Sequence, residues 1–172
     1  MNSPKFLLDG MLGKLTRWLR IFGFDAKYGG VYSDEGLITL ALNERRVLLT
    51  RDINLCERAN RRTLEPLLIK GQSKIEKLVE VAKRFSIKLE IDPARSRCSS
   101  CNTILMQTKK DVVKGRVPSL TYNSYEKFWI CKNCNKIFWK GAHWKNIEHV
   151  KEEVNKMLNF ERLGKKKIKR SF

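Results

Sequence analysis

Two short apolar runs in this chain each end in an aspartate. Lys5-Phe6-Leu7-Leu8 runs into Asp9-Gly10, and Val47-Leu48-Leu49-Thr50-Arg51 runs into Asp52. A third acidic point, Asp34-Glu35, opens the segment between them. Carboxylates gathered at one place repel one another unless a cation sits among them, and an all-oxygen donor set favours Mg²⁺ or Mn²⁺. Such ions activate water and offset the charge that builds on a scissile phosphate. No histidine lies in residues 1–95, so the commonest general base is missing there, and metal-bound hydroxide can take that role. Nucleophilic catalysis of the serine or cysteine type lacks a base beside Ser33, Ser73 or Cys56. Each aspartate alone also has a plainer reading, Asp9-Gly10 as a turn and Asp34 and Asp52 as helix N-caps.

A second constellation is made of sulfur. Cys98-Ser99-Ser100-Cys101 and Cys131-Lys132-Asn133-Cys134 are two CxxC pairs separated by 29 residues. Four thiolates so spaced suit a tetrahedral Zn²⁺, and four cysteines close the shell, so the ion would be structural. A redox pair would need only one CxxC. Cys56 has no partner nearby in sequence and reads as an idle thiol. His143 and His149 are surplus to a four-thiolate shell.

These residues need elements to position them. Apolar and helical periodicities predict strands at 6–8, 25–28, 47–50 and 66–69. They predict helices over 11–22, from Asp34 as N-cap to about Glu44, a short one around Leu55 and Ala59, and one over 73–85. Alternating strands and helices imply an α/β fold with a parallel sheet flanked by helices, and ligands bind such sheets outside the carboxyl ends of the strands. Around Asp92-Pro93 the texture changes. Residues 96–146 read as a small cysteine unit and 147–172 as a helix and basic tail, leaving 1–92 as the α/β domain.

The chain has 36 Lys/Arg against 18 Asp/Glu in 172 residues, a formal net charge of +18. Residues 1–95 carry 18 basic and 12 acidic groups, and residues 96–172 carry 18 and 6. So basic a surface points to nucleic acid as partner, RNA or the ribosome, with an anionic membrane surface as the weaker alternative. With no long apolar stretch and no leader pattern at Met1-Asn2-Ser3-Pro4, the chain is expected in the cytoplasm. Lys14, Arg17 and Arg20 step down one face of the first helix, either as a solvated face or as a phosphate stripe leading to the acids, and Arg51 beside Asp52 could serve similarly. Phe128, Trp129, Phe138, Trp139 and Trp144 alternate with Lys127, Lys132, Lys136, Lys140 and Lys145. Such interleaving suits stacking on unpaired bases, though a small unit also needs rings for its core. The run at 165–170 is expected to be a flexible basic arm.

Phe6-Leu7-Leu8-Asp9-Gly10-Met11-Leu12-Gly13-Lys14-Leu15, Trp18-Leu19-Arg20 and Val47-Leu48-Leu49-Thr50-Arg51-Asp52 resemble the Mut-seven C-terminal RNase domain family of PIN-like nucleases. The resemblance continues through both cysteine pairs, Gly115-Arg116-Val117-Pro118 and Phe138-Trp139-Lys140-Gly141-Ala142-His143-Trp144, so that it covers roughly 5–147. It implies a PIN-like domain followed by a zinc ribbon, and a ribonuclease using Mg²⁺ or Mn²⁺. By the family's motif Asp9 is the first-strand acid, Asp34 the acid opening the central helix, and Asp52 the acid of the Thr-x-Asp motif, with Glu35 as an assisting acid. The broader PIN pattern has a further acid on the helix after the first strand, whereas residues 11–22 here contain none. The leading expectation is a metal-dependent endoribonuclease whose ribbon grips RNA. The alternative is a non-catalytic, ribosome-associated RNA-binding protein on the same scaffold, and a toxin-like nuclease is disfavoured by the appended ribbon.

Overall fold

The computed structural model describes residues 3–168. Four short strands, β1 (Phe6–Leu8), β2 (Ala26–Tyr28), β3 (Val47–Thr50) and β4 (Leu67–Leu68), form one parallel sheet in the order β2-β1-β3-β4. Helices α1 (Gly13–Ile21), α2 (Asp34–Glu44), α3 (Ile53–Arg61) and α4 (Lys74–Arg84) connect them and continue the chain. Alternate side chains of a strand face opposite ways, and β1 uses both faces for burial. Phe6 and Leu8 enter a cluster with Leu15 and Leu19 of α1, Leu78 and Ala82 of α4, and Val150 and Val154 further on. Leu7 and Leu48 face the other way, onto Leu37, Ile38 and Ala41 of α2 and Leu55 and Ala59 of α3. Helices thus cover both faces. Phe6 also meets Phe24 and Phe85 edge to face, with centroids 5.9 and 5.4 Å apart.

Three local details depart from the sequence expectations, the first two for a capping reason. The expected 11–22 helix begins as a 3₁₀ turn, Gly10–Leu12, because the Asp9 carboxylate accepts from the Met11 amide and holds the chain in a tighter turn before α1. Ser33, not Asp34, is the N-cap of α2: its hydroxyl accepts from Gly36 N–H, and Asp34 is the first helical residue. The fourth strand is only two residues long. Asp52 does cap α3, one oxygen accepting from the amides of Asn54 and Leu55, and Ser73 with Glu76 makes a reciprocal capping box on α4.

A second sheet, antiparallel, holds β5 (Met106–Thr108), β6 (Phe128–Ile130) and β7 (Ile137–Trp139) in that order. A one-and-a-half-turn helix, α5 (Ser119–Ser124), lies between β5 and β6. The last helix, α6 (Ala142–Ile168), starts five residues earlier than expected and its Val150 and Val154 return to the core of the parallel sheet. Of the basic run expected as a flexible arm, 165–168 continue this helix, and 169–170 lie outside the described residues.

The cysteine unit is joined to the parallel sheet by polar contacts. Edge strand β2 turns the N–H and C=O of Ala26 outward, away from β1. Arg20 Nε donates to Ala26 O at 2.8 Å, and Asn102 Oδ1 accepts from Ala26 N at 3.1 Å. Asn102 Nδ2 donates to Asp25 at 2.8 Å, and Asp25 accepts from Arg46 at 2.7 Å.

Candidate active site and metal centre

Strand register sets the acidic edge. Leu8 pairs with Leu49, so Asp9 leaves the sheet opposite Thr50, both at the carboxyl end of neighbouring strands. Asp9 is only 5% exposed. Its Oδ1 accepts from Met11 N at 2.8 Å, and its Oδ2 accepts from the Thr50 hydroxyl and from Arg51 N at 3.2 Å. The Thr50 oxygen in turn accepts from Asp52 N at 2.9 Å. Asp52 itself is exposed; its Oδ1 is committed to the α3 cap, while its Oδ2 accepts no protein hydrogen bond among the described residues. Arg51 ties this edge sideways, donating to Gly71 O at 3.4 Å and Gln72 Oε1 at 3.0 Å.

The third acid is placed differently. Asp34 opens α2 at the same edge, but its carboxylate pairs with Arg58 of α3 at 2.8 Å. Glu35 pairs with Arg58 at 3.4 Å and Arg62 at 3.0 Å. These pairs are about half exposed, where an ion pair contributes about 0–1 kcal/mol. Asp9, Asp34 and Asp52 do not close into one tight set. Among the described residues, the single group of three or more such ligands with all donor atoms within 4.8 Å of one another is the four cysteines.

Those cysteines sit in two facing turns. Cys98 and Cys131 are buried, Cys101 and Cys134 half-buried, and none is in a disulfide. Sγ of Cys98 lies 3.5 Å from that of Cys134, and Sγ of Cys101 lies 3.3 Å from that of Cys131. Four sulfurs about 2.3 Å from a tetrahedral zinc stand about 3.8 Å apart, so the cluster needs only slight adjustment to take the ion. Burial chiefly, with the adjoining thiols, pushes the Cys98 thiol up to about 12. For Cys101 burial acts the same way but is outweighed by hydrogen bonds with Thr103, Asn133 and Cys131, which bring it down to about 5. Neither histidine belongs to the group.

The expected RNA-contacting residues divide. Lys14 and Arg17 are exposed on α1. Arg20 is not: it is 6% exposed, and besides Ala26 its Nη1 donates to the carbonyls of Ser99 and Ser100 at 3.0 Å each. The phosphate-stripe reading fails there because the guanidinium is spent on joining α1 to β2 and the first cysteine turn. Trp129 is likewise corrected. At 6% exposed it packs with Leu105, Cys98 and Cys131 as the core of the small unit and cannot present a face for stacking. Trp139 and Trp144 are half-buried; Trp144 donates from Nε1 to Glu148 at 2.6 Å, and exposed Lys140 stands 4.6 Å from its ring centre.

Thr50, Asn102 and Arg58 were not singled out from the sequence. Thr50 carried a legible signal only as the threonine of the Thr-x-Asp motif. Arg58 and Asn102 carried none, because their partners are 24 and 76–77 residues away.

The Mut7-C RNAse domain model matches residues 4–151. The chain belongs to the Mut7-C RNAse domain family. Membership brings an RNase-like function, with RNA as substrate or partner. Comparison with curated proteins and with solved structures gives no significant match.

Proposed function

We propose that this Mut7-C family chain is a metal-dependent endoribonuclease of the cytoplasm, built as a PIN-like domain followed by a zinc ribbon that binds RNA. The observation that carries the reading is the fixed Asp9 carboxylate at the end of a central strand, oriented by Thr50 and two backbone amides, with Asp52 just beyond the end of the adjoining strand. Three carboxylates without an imidazole are the hard-oxygen chemistry that suits Mg²⁺ or Mn²⁺. Asp9 and Asp52 would hold that ion, with Asp34 joining them by exchanging its Arg58 partner for it, and when bound it would supply an activated water and offset charge on the scissile phosphate. Thr50 fixes which way Asp9 points. The unengaged Oδ2 of Asp52 is the most accessible acceptor of the set, while Arg58 holds Asp34 at the edge and Glu35 stands beside it as the assisting acid. Lys14, Arg17 and Arg51 would neutralise phosphates of the approaching RNA, and Lys140, Trp139 and Trp144 would supply a cationic, aromatic face on the ribbon.

The four sulfurs fit Zn²⁺ by their number, type and mutual spacing. A four-thiolate shell leaves no open position, so zinc there holds the ribbon together. It carries two net negative charges, and buried Arg20, hydrogen-bonded to the turn's own carbonyls, is placed to offset them.

A specific observation favours a second reading. Asp34 and Glu35 are paired to arginines rather than gathered with Asp9, and the chain carries +18. A non-catalytic RNA-binding protein, attached to the ribosome, needs no more than that. The two separate in one experiment: purified protein with single-stranded RNA and Mn²⁺, beside an Asp9→Asn/Asp52→Asn double variant. The nuclease reading expects cleavage by the wild-type chain alone. Cleavage by both or by neither sinks it, and salt-sensitive co-sedimentation with ribosomes then supports the second.

A further inference from the structure

A cleft of about 670 Å³ opens between the first turns of α1 and α4, beside the turn that Asp9 caps. Lys14 lines one wall, and Lys74 and Lys77 line the other, with Gln72 at the base. None of the three ammonium groups has an ion pair or hydrogen bond among the described residues; Lys74 rests 5.6 Å from the Trp18 ring centre. Lys27, Arg46, Arg58, Arg62 and Arg84 of the sheet domain have carboxylate partners. Other cations there, Lys5 and Lys88 among them, have none among the described residues, and what distinguishes Lys14, Lys74 and Lys77 is that they line one concavity. Glu76, whose carboxylate is held on the Gln72 and Ser73 amides, offsets part of the Lys77 charge, but three ammonium groups lining one concavity still focus a positive potential into it. The cleft is also mechanically tied to the acids, because Arg51 donates to Gln72 from its side chain and to Asp9 from its backbone. A second cleft of about 460 Å³ shares Gly13 and Lys14 with the first and continues past Arg17 to Ser99 and Ser100 of the cysteine turn.

We propose that the cleft between α1 and α4 holds successive backbone phosphates of single-stranded RNA, with Lys74 and Lys77 as the wall opposite Lys14, so that the strand is laid against the Asp9 turn. The proposal rests on the reading that this chain acts on RNA, and it adds two lysines from a different helix to the substrate path. Point-charge ammonium groups on flexible stems suit phosphates at variable positions and carry no base preference. The strand then passes Asp9 in one direction and the cysteine turn in the other.

The test is binding without turnover. A fluorescein-labelled single-stranded RNA is titrated with the full chain by anisotropy, without added divalent cation, at several salt concentrations. Three proteins are compared: wild type, Lys74→Gln/Lys77→Gln, and a charge-matched control, Lys5→Gln/Lys88→Gln. In the control both residues are exposed, and Lys5 lies at the opposite end of β1 from Asp9. Glutamine is a good helix former, and thermal melts check that both variants fold. The expected result is about a tenfold loss of affinity at low salt for the α4 variant alone. Its plot of log affinity against log salt becomes shallower by about 1.4, at about 0.7 per lost single-strand phosphate contact. Wild-type affinity in the α4 variant overturns the cleft while leaving the RNA reading intact. Equal loss in both variants also overturns it, since diffuse charge then suffices. No RNA binding by the wild-type chain ends both readings together.

Discussion

The Thr50 hydroxyl donates to Asp9 Oδ2 while its oxygen accepts the Asp52 amide proton at 2.9 Å. One fully buried side chain thus joins the carboxylate of one strand to the backbone that delivers the next acid. Thr50→Val keeps shape and β-branching but removes both bonds, leaving the Asp52 amide without this partner. The expected cost is about 1–3 kcal/mol of stability in urea denaturation. RNA cleavage falls more than folding does, and Thr50→Ser restores both. A valine variant as active as wild type would show that Asp9 needs no such support.

Asp52 has a structural duty and a proposed chemical one, which substitution separates. Asparagine caps helices about as well as aspartate, whereas alanine costs about 1 kcal/mol. Asp52→Asn should melt within about a degree or two of wild type and Asp52→Ala several degrees lower. If Asp52 holds the metal, both lose Mn²⁺-dependent cleavage to the same extent. Activity that instead follows the melting temperatures makes the residue a cap only.

Arg20 and Arg17 lie one turn apart on α1 and should behave oppositely. Arg20→Lys loses the planar fork that serves three carbonyls and is expected to cost about 2–4 kcal/mol. Its salt dependence of RNA binding stays that of the wild type. Arg17→Gln melts normally and makes that dependence shallower by about 0.7. The reverse pattern would return Arg20 to the phosphate path.

Asp25 sits between Arg46 and Asn102 at the junction of the sheet with the cysteine turn. Burial alone would raise its carboxyl, but the hydrogen bonds from Arg46 and Asn102 outweigh that and hold it below the ordinary value of 3.8. A depressed folded pKa contributes stability above the unfolded value, and that contribution is lost as pH falls through the folded one. Wild-type melting temperature should therefore drop below about pH 4, and Asp25→Asn should be less stable near neutrality with a flatter acid limb. An unchanged acid limb in the variant assigns the acid loss to other carboxylates.

Metal removal gives a spectroscopic test. The chain as purified should carry one zinc per molecule by elemental analysis, and Cys101→Ser or Cys131→Ser should abolish it. A Co²⁺-substituted chain should show the intense visible bands of four-thiolate tetrahedral coordination. Absence of bound metal in a folded wild-type chain sinks the zinc assignment.

Continuous apolar runs and period-3.6 patterns were enough to read the parallel sheet and its helices, because Phe6–Leu8 and Val47–Thr50 are buried runs flanked by Gly and acidic punctuation. The four cysteines were equally legible, since ligand spacing is a local property. What escaped the sequence is tertiary. Nothing adjacent to Arg20 says that three carbonyls will surround it, and a helical wheel places it on the same face as Lys14 and Arg17. Trp129 and Trp139 read alike among their lysines, yet alternate burial in a short antiparallel sheet sends Trp129 into the cysteine core. The pairing of Asp34 with Arg58 comes from a helix that follows both Asp9 and Asp34.

If the four cysteines hold zinc, the outward N–H and C=O of Ala26 have a consequence for the fate of the chain once that ion is removed. A strand on the rim of a sheet is a template for intermolecular pairing unless something covers it. Here the cover is Asn102 and Arg20, and Asn102 lies directly after Cys101 in the first cysteine turn. If the ion is lost and the turn relaxes, β2 becomes an open edge on an otherwise folded domain. Self-association and precipitation, rather than simple unfolding, are then the expected outcome of metal starvation.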